Sequence, residues 1–263
     1  MIDYKELYSV CGAKPSLKDD RDYNLDKIIP KSVKLPRQFR INVDKDSILN
    51  QGNVGCCVAC SLALTRHLIE KEQSNDSELF SPMYIYGNRE KEDCQDEGMF
   101  PREALRTLKN FGVCHKSDFD GYEEYPKTKK AYYNNKTKLD QLAFPNRISS
   151  YYRLNTNHDI MTALVELGSV TICVAVYECL YYPTIDNVVN YNKDTCGDIY
   201  GYHEMTITGY DMDKDVWIVT NSWGSDYGEF GSVYIPMDYP IEEAWAIVDE
   251  VTEKKFISEL PRS

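Results

Sequence analysis

Covalent acyl chemistry needs a thiol or hydroxyl placed to ionise and a base within reach of its proton. The stretch Gln51-Gly-Asn-Val-Gly-Cys-Cys-Val-Ala-Cys-Ser61 offers the first. It is a glycine-punctuated loop that delivers cysteines to a helix start. After Cys57 the apolar residues Val58, Leu62, Leu64, Leu68 and Ile69 fit a helix with one buried face. Gly52 and Gly55 keep the loop thin, so a ligand backbone can come close. A cysteine at a helix N-terminus feels the positive end of the macrodipole, which favours thiolate. The base must come from four histidines. His67 lies ten residues down the same helix, about 15 Å away along its axis, and cannot reach Cys57. His115 follows a helix end beside Cys114, and His158 sits in a polar stretch that reads as a helix start. His203 opens an apolar run at a strand start, where a lone histidine is more often structural.

The elements that must carry these residues come in a definite order. Helices are expected over 57–72, from Pro82 behind a Ser81 cap, over 101–111 ending at Gly112, and over 158–168 ending at Gly168. Val170-Thr-Ile-Cys-Val-Ala-Val176 is a β-branched run and reads as a buried strand. Further strands are expected at 204–210 and 216–220, with a return strand after 236. Lys127–Lys138 is polar and reads as a solvated connection. Helices first and strands after give a helical lobe and a β-rich lobe with the reacting groups on facing walls.

Composition narrows the classes. The net charge of −12 argues against a nucleic-acid partner, and no run reaches the roughly 18 apolar residues of a membrane span. The N-terminus has no basic region followed by an apolar one, so an intracellular location is the default expectation. Nine cysteines, an odd number without a secretion signal, read as free thiols. Cys57-Val-Ala-Cys60 has the form of a redox pair, but no βαβ frame precedes it. Cys56, Cys57 and Cys60 lack a second close pair to complete a zinc site.

The nucleophile stretch resembles that of papain-like cysteine proteases, whose pattern is Gln-Gly-x-Cys-Gly-Ser-Cys-Trp-Ala-x-Ser. On that pattern Cys57 falls on the nucleophile, with Gly55-x-Cys57 favouring it over Cys56, and Gln51 on the oxyanion-hole glutamine. Val54 stands where the family has a disulfide cysteine, and Val58 where it has an aromatic. Gly201-Tyr-His203-Glu-Met-Thr-Ile-Thr-Gly209-Tyr resembles the family's His-Ala-Val-x-x-x-Gly-Tyr strand. Asn221-Ser-Trp223-Gly-Ser-Asp-Tyr-Gly228-Glu-Phe-Gly231 resembles Asn-Ser-Trp-Gly-x-x-Trp-Gly-x-x-Gly. Cys94 to Leu105 resembles Cys-x-Gly-Gly-x-x-x-x-Ala-Leu, with Gly98 as the glycine that pairs with substrate backbone and Phe100 as a wall of the S2 pocket. The distance from Cys57 to Asn221 exceeds the family's roughly 130–150 residues, which implies an insertion at 180–200.

The resemblance, spanning about residues 35–235, implies an α+β papain-like fold: a helical lobe over 34–130, an antiparallel β-barrel-like lobe over 131–263, and the active site in the cleft between. It implies a cysteine peptidase acting on polypeptides without metal or organic cofactor. Cys57 is then the nucleophile, His203 its acid and base, Asn221 the group orienting His203, and Trp223 a shield lining the cleft. Met99, Phe100 and Trp245 suggest an apolar S2 pocket. Residues 1–33 resemble the propeptide-like segment of a bacterial, xylellain-like branch of the family, so the chain's own N-terminus is expected to cover the cleft in a possible zymogen. The family's disulfides are expected to be absent, Cys94 having lost its partner at Val54. Two other functions fit the same fold: a silent binding protein, and a thiol acyltransferase sharing the thioester intermediate.

Overall fold

Helix α1 (Tyr4–Leu7) comes first in a computed structural model that describes residues 3–7, 11–25, 29, 34–73, 78–89, 97–121 and 125–251. Cys94 lies outside the described residues. Strand β1 (Gln38–Arg40) precedes α2 (Cys57–Gln73), α3 (Pro82–Gly87), α4 (Pro101–Phe111) and α5 (Tyr125–Ala143). Then follow β2 (Ser150–Leu154), α6 (Asn157–Glu166), β3 (Val170–Val176), α7 (Glu178–Tyr181), β4 (Gly201–Asp211), β5 (Val216–Thr220), β6 (Ser232–Pro236) and β7 (Ile241–Val248).

Local chemistry sets the helix ends. Ser81 accepts the Tyr84 N–H at 3.0 Å and Pro82 opens α3. Gly112, at φ +80°, ends α4 with its N–H on the Leu108 carbonyl. Thr156 and Asp159 form a reciprocal capping box at α6. Two expectations change. The polar stretch 127–138 is helical, within α5, because Tyr132, Leu139 and Ala143 give it an apolar seam to bury. Helix α2 is buried on every side from Cys57 to Ile69, not on one face. It is enclosed by β3 and β4 on one side and by α3 and α4 on the other.

The sheet is antiparallel, in the order β2-β7-β3-β4-β5-β6, with β1 on the far end of β4. It is an open sheet and not a closed barrel. Two clusters of buried apolar residues divide the molecule. One joins α2, α3, α4 and α5 and includes Cys173, Trp245 and Ile247 from the sheet. The other lies among the strands, α6 and the 223–239 region.

Between α2 and the sheet runs a seam of hydroxyls. Ser61 Oγ lies 2.7 Å from Thr171 Oγ1 and 2.9 Å from Thr206 Oγ1. Thr206 Oγ1 also donates to the Ser61 carbonyl at 3.1 Å, and Ser169 Oγ to the Thr65 carbonyl at 3.2 Å. Small polar side chains let the helix lie close to the strands, and their mutual bonds leave each buried hydroxyl satisfied. Ser61→Ala removes two hydroxyl–hydroxyl bonds, while Thr206 keeps the Ser61 carbonyl and Thr171 keeps Glu204, so it should destabilise the protein by about 0.5–1.5 kcal/mol in urea denaturation. An unchanged midpoint would show that the seam contributes nothing.

Candidate active site

Cys57 is the first residue of α2, and Cys56 closes the first helical turn with its carbonyl on the Cys60 N–H at 2.9 Å. His203 stands near the start of β4, and Asn221 follows the end of β5. The structure joins them: His203 Nε2 lies 2.7 Å from Asn221 Oδ1. Asn221 Oδ1 also accepts the Ser222 N–H at 2.7 Å. That second donor fixes the amide oxygen toward the ring, so Nε2 carries the proton and Nδ1 keeps its lone pair. Trp223 packs over the imidazole with ring centres 4.9 Å apart, and stacks on Tyr181 at 5.2 Å.

Gln51 is buried in the loop before Cys57. Its Nε2 donates to the Val54 carbonyl at 3.0 Å, and its Oε1 accepts from Ser222 Oγ at 2.7 Å. Main-chain bonds reinforce the link, from Gln51 N–H to the Ser222 carbonyl at 2.9 Å and from Gly224 N–H to the Leu49 carbonyl at 3.0 Å. The loops bearing Gln51 and Asn221 are thus hydrogen-bonded to each other.

Gly98 sits at φ +95°, a backbone state that side chains rarely adopt. Tyr86, Arg89 and Glu97 hold it. Gly98 N–H donates to Tyr86 Oη at 3.1 Å, Arg89 Nη1 donates to the Gly98 carbonyl at 2.8 Å, and Glu97 Oε2 accepts from Tyr86 Oη and from the Gly55 N–H, both at 2.8 Å. Nothing in the sequence marks Tyr86 or Arg89 for this clamp, and Glu97 is marked only by standing next to the motif glycine. Phe100 caps α4 and is half-buried, with Lys14 Nζ 5.8 Å from its ring centre. Trp245 is fully buried and donates to Glu243 Oε2 at 2.9 Å.

The other histidines are accounted for. His67 is buried 3.1 Å from Ser47 Oγ, His115 stacks on Phe80 and pairs with it in an isolated antiparallel bridge, and His158 is exposed in α6.

The cleft is occupied by the chain itself. Gly12, Ala13 and Lys14 lie between the Gly98 loop and β4. Met99 N–H donates to the Gly12 carbonyl at 2.9 Å, Lys14 N–H to the Met99 carbonyl at 3.1 Å, and Ala13 N–H to the Tyr202 carbonyl at 3.2 Å. The Ala13–Met99 pairing is parallel. The backbones touch so closely that a Cβ on Gly12 would fall 2.1 Å from the Gly55 carbonyl oxygen. Further along, Arg102 grips the Asp22 carboxylate through two bonds of 2.9 and 2.6 Å, Arg153 lies 3.5 Å from it, and Ser16 N–H donates to Glu243 Oε1 at 2.7 Å. At the N-terminus, Lys5 bonds Tyr200 Oη at 2.9 Å and Tyr182 Oη bonds Asp3 at 2.7 Å, so the 180–200 region holds α1.

Burial sets the electrostatics. Cys57 is fully buried, and burial pushes its thiol far above the ordinary range against the pull of the Glu204 and Gly12 N–H groups. Burial also lowers His203 to about 4, with the Asn221 bond opposing. In the covered form the pair is therefore neutral thiol and neutral imidazole, not the thiolate expected from the helix position alone. Among the described residues all eight cysteines are free thiols, no cluster of His, Cys, Asp and Glu is arranged to hold a metal, and no helix is long and apolar enough to cross a membrane.

The sequence model of the papain family of cysteine proteases matches residues 30–252. The chain belongs to that family. Among curated relatives, an uncharacterized peptidase C1-like protein of Acanthamoeba polyphaga mimivirus is 26% identical over 230 residues, covering 79% of this chain and 71% of that one. The chain spans less than half the length of several other curated relatives it matches. Among solved structures, xylellain, a cysteine protease from Xylella fastidiosa, superposes with a TM-score of 0.79 at 20% identity, over 92% of this chain and 97% of that one. A procathepsin B from Trypanosoma congolense gives 0.70 at 17% identity, over 92% and 87%. At these identities both bear on the papain fold alone.

The depressed His203 value carries a sign. The unfolded chain takes up this proton near 6.5 and the folded chain near 4. Stability from His203 is complete above 6.5 and is lost as pH falls toward 4. NMR titration of the imidazole resonances should place His203 near 4 in the intact protein, and higher in Gly12→Val, whose side chain cannot fit against Gly55. A midpoint near 6.5 in the intact protein would contradict the burial argument.

Proposed function

We propose that the protein is a cysteine peptidase held latent by its own N-terminal segment. Residues 34–130 supply the wall bearing Cys57, residues 131–263 the wall bearing His203 and Asn221, and residues 1–33 the cover. Gln51 is hydrogen-bonded to Ser222 and His203 to Asn221, all four buried, and the His203–Asn221 bond of 2.7 Å is the observation that carries the reading.

Once residues 11–16 leave, water enters and the burial that opposes both charges is relieved. The proton passes from Cys57 to Nδ1 of His203, giving thiolate and imidazolium. Asn221 holds Nε2–H and keeps the ring in place, the role a carboxylate plays in serine hydrolases. A peptide lies along Gly98, whose missing side chain leaves room for a second backbone, as Gly12 does now. Cys57 Sγ attacks the scissile carbonyl. The Cys57 N–H and a Gln51 side-chain N–H receive the oxyanion. His203 gives its proton to the leaving amine, then takes one from the water that releases the acyl group. Trp223 keeps solvent from the His203–Asn221 bond.

Labelling with an epoxysuccinyl thiol-protease inhibitor, followed by peptide mapping, tests this. The intact protein should label slowly. Gly12→Val and Asp22→Asn, which loosen the cover at separate points, should label stoichiometrically at Cys57, and adding His203→Ala should abolish it. No labelling of any form would leave a silent binding protein. In the loosened protein Gln51→Ala should lower kcat by about 10²–10³-fold on a peptide substrate. A change under threefold would remove Gln51 from the oxyanion site. Transfer of the acyl group to an added amine in preference to water would favour the acyltransferase.

A further inference from the structure

Two thiols flank Cys57 in the chain, and the mechanism above uses neither. Cys56 immediately precedes α2 and Cys60 lies in its first turn, and both are completely buried. Their sulfurs are 3.7 Å apart, in contact. The Cys56 carbonyl accepts the Cys60 N–H at 2.9 Å, so the two residues stand on one closed helical turn. That spacing puts their Cα atoms about 6 Å apart, inside the roughly 4.4–6.8 Å that a disulfide spans. Side-chain rotation need bring the sulfurs only about 1.7 Å closer to reach bonding distance. A single buried cysteine here would be an ordinary small core residue. Two in contact are a dithiol, and the papain-like pattern, which has serine where Cys56 stands, requires neither.

The main chain of Cys56 is tied to both groups proposed to receive the oxyanion. Its N–H donates to the Val54 carbonyl at 2.8 Å, and the same carbonyl accepts Gln51 Nε2 at 3.0 Å. Its carbonyl belongs to the peptide group that carries the Cys57 N–H. Drawing the Cys56 sulfur onto Cys60 therefore turns the peptide that presents one donor and pulls on the carbonyl that seats the other. Gly12 of the covering segment touches the chain on both sides of Cys56: it lies against the Gly55 carbonyl, and its N–H reaches the Cys57 thiol. Burial and the adjoining Cys60 push the Cys56 thiol well above its ordinary range, so in the covered form it is a thiol and not a nucleophilic thiolate.

We propose that Cys56 and Cys60 are a redox-modification site: in the uncovered protein hydrogen peroxide closes them to a disulfide that distorts the oxyanion loop and leaves Cys57 unmodified. One sulfur, as thiolate, attacks a peroxide oxygen; the O–O bond breaks, water leaves, and a sulfenic acid remains. The second sulfur attacks the sulfenic sulfur; the S–O bond breaks and a second water leaves. The two thiols give up two electrons and two protons, and the peroxide takes them as it becomes two waters. A small dithiol reductant reverses the step by exchange. The effect on turnover rests on the peptidase reading, but the formation of the disulfide does not.

The test uses the full chain, loosened by Gly12→Val or separately by Asp22→Asn and treated with hydrogen peroxide. With Cys57→Ala added, the tryptic peptide 46–66 keeps only Cys56 and Cys60. It should become about 2 Da lighter and resist alkylation until dithiothreitol is added. Cys56→Ser, and separately Cys60→Ala, should abolish that change. Its absence from both loosened forms overturns the proposal. With Cys57 intact, peroxide should lower kcat on a peptide substrate by about 10²-fold, as removal of one oxyanion donor does, and dithiothreitol should restore it. Cys56→Ser should keep the untreated kcat within about threefold and lose the reversible component. A reversible loss that survives Cys56→Ser assigns the oxidation to Cys57 and overturns the proposal. A Cys56–Cys60 disulfide in a protein that cleaves no peptide before treatment sinks the peptidase and keeps the redox site. Cleavage that continues unchanged after the disulfide has formed overturns the proposed distortion and keeps the peptidase.

Discussion

Everything in the site depends on how closely α2 can lie against β3 and β4. Cys57 comes from one polypeptide region and His203 from another, and only the helix–sheet contact sets their relation. Serines and threonines make that contact, where leucine or isoleucine would hold the helix farther off. Ser61, Thr65, Thr171 and Thr206 bond to one another and to the Ser61 carbonyl, so the approach leaves few buried groups unpaired. The main-chain bonds between the Gln51 and Ser222 loops extend the same docking to the loop beside the site. A geometry that needs sub-ångström control is thus built from short, directional contacts on regular elements.

The covering segment is held by a different kind of force at each end. At residues 12–14 it is main-chain pairing, independent of side-chain identity apart from the need for glycine at 12. At residues 16–22 it is charge: Asp22 between Arg102 and Arg153, and a buried carboxyl on the Ser16 N–H. The first contact brings the Gly12 N–H to the buried Cys57 thiol, and burial keeps Cys57 and His203 neutral. The second ties the segment down further along. Burial, in this molecule, silences the reacting groups more strongly than the helix dipole activates them.

Much of the fold was legible because it rests on local rules. Ser81 and Pro82 start a helix, Gly112 stops one, and Val170–Val176 is a strand, each for reasons contained within a few residues. The His203–Asn221 partnership was legible only through family resemblance, since nothing in either residue's neighbourhood specifies the other. The hydroxyl seam was invisible because serine and threonine on a helix ordinarily signal a solvated face. Helix α5 was missed because its polar surface outweighed three buried residues. The abundant tyrosines acquire a role only in three dimensions: Tyr210, Tyr227 and Tyr239 each pass a hydroxyl to a distant main-chain carbonyl. Glu204 reads in sequence as part of a strand motif, and its isolation from water is a property of what packs above it.

The close contact of Gly12 with Gly55 has a consequence for how the protein responds to its surroundings. The covering strand is tethered, so it competes with any peptide at a fixed local concentration, of millimolar order for a short connection. Dilution does not weaken that competition, and a peptide present at micromolar level gains little ground against it. On the proposed latent-peptidase reading, the cover is therefore insensitive to how much protein is made. On that reading it yields instead to a cut in the tether or to the loss of Asp22, because once severed its local concentration falls to that of a solute.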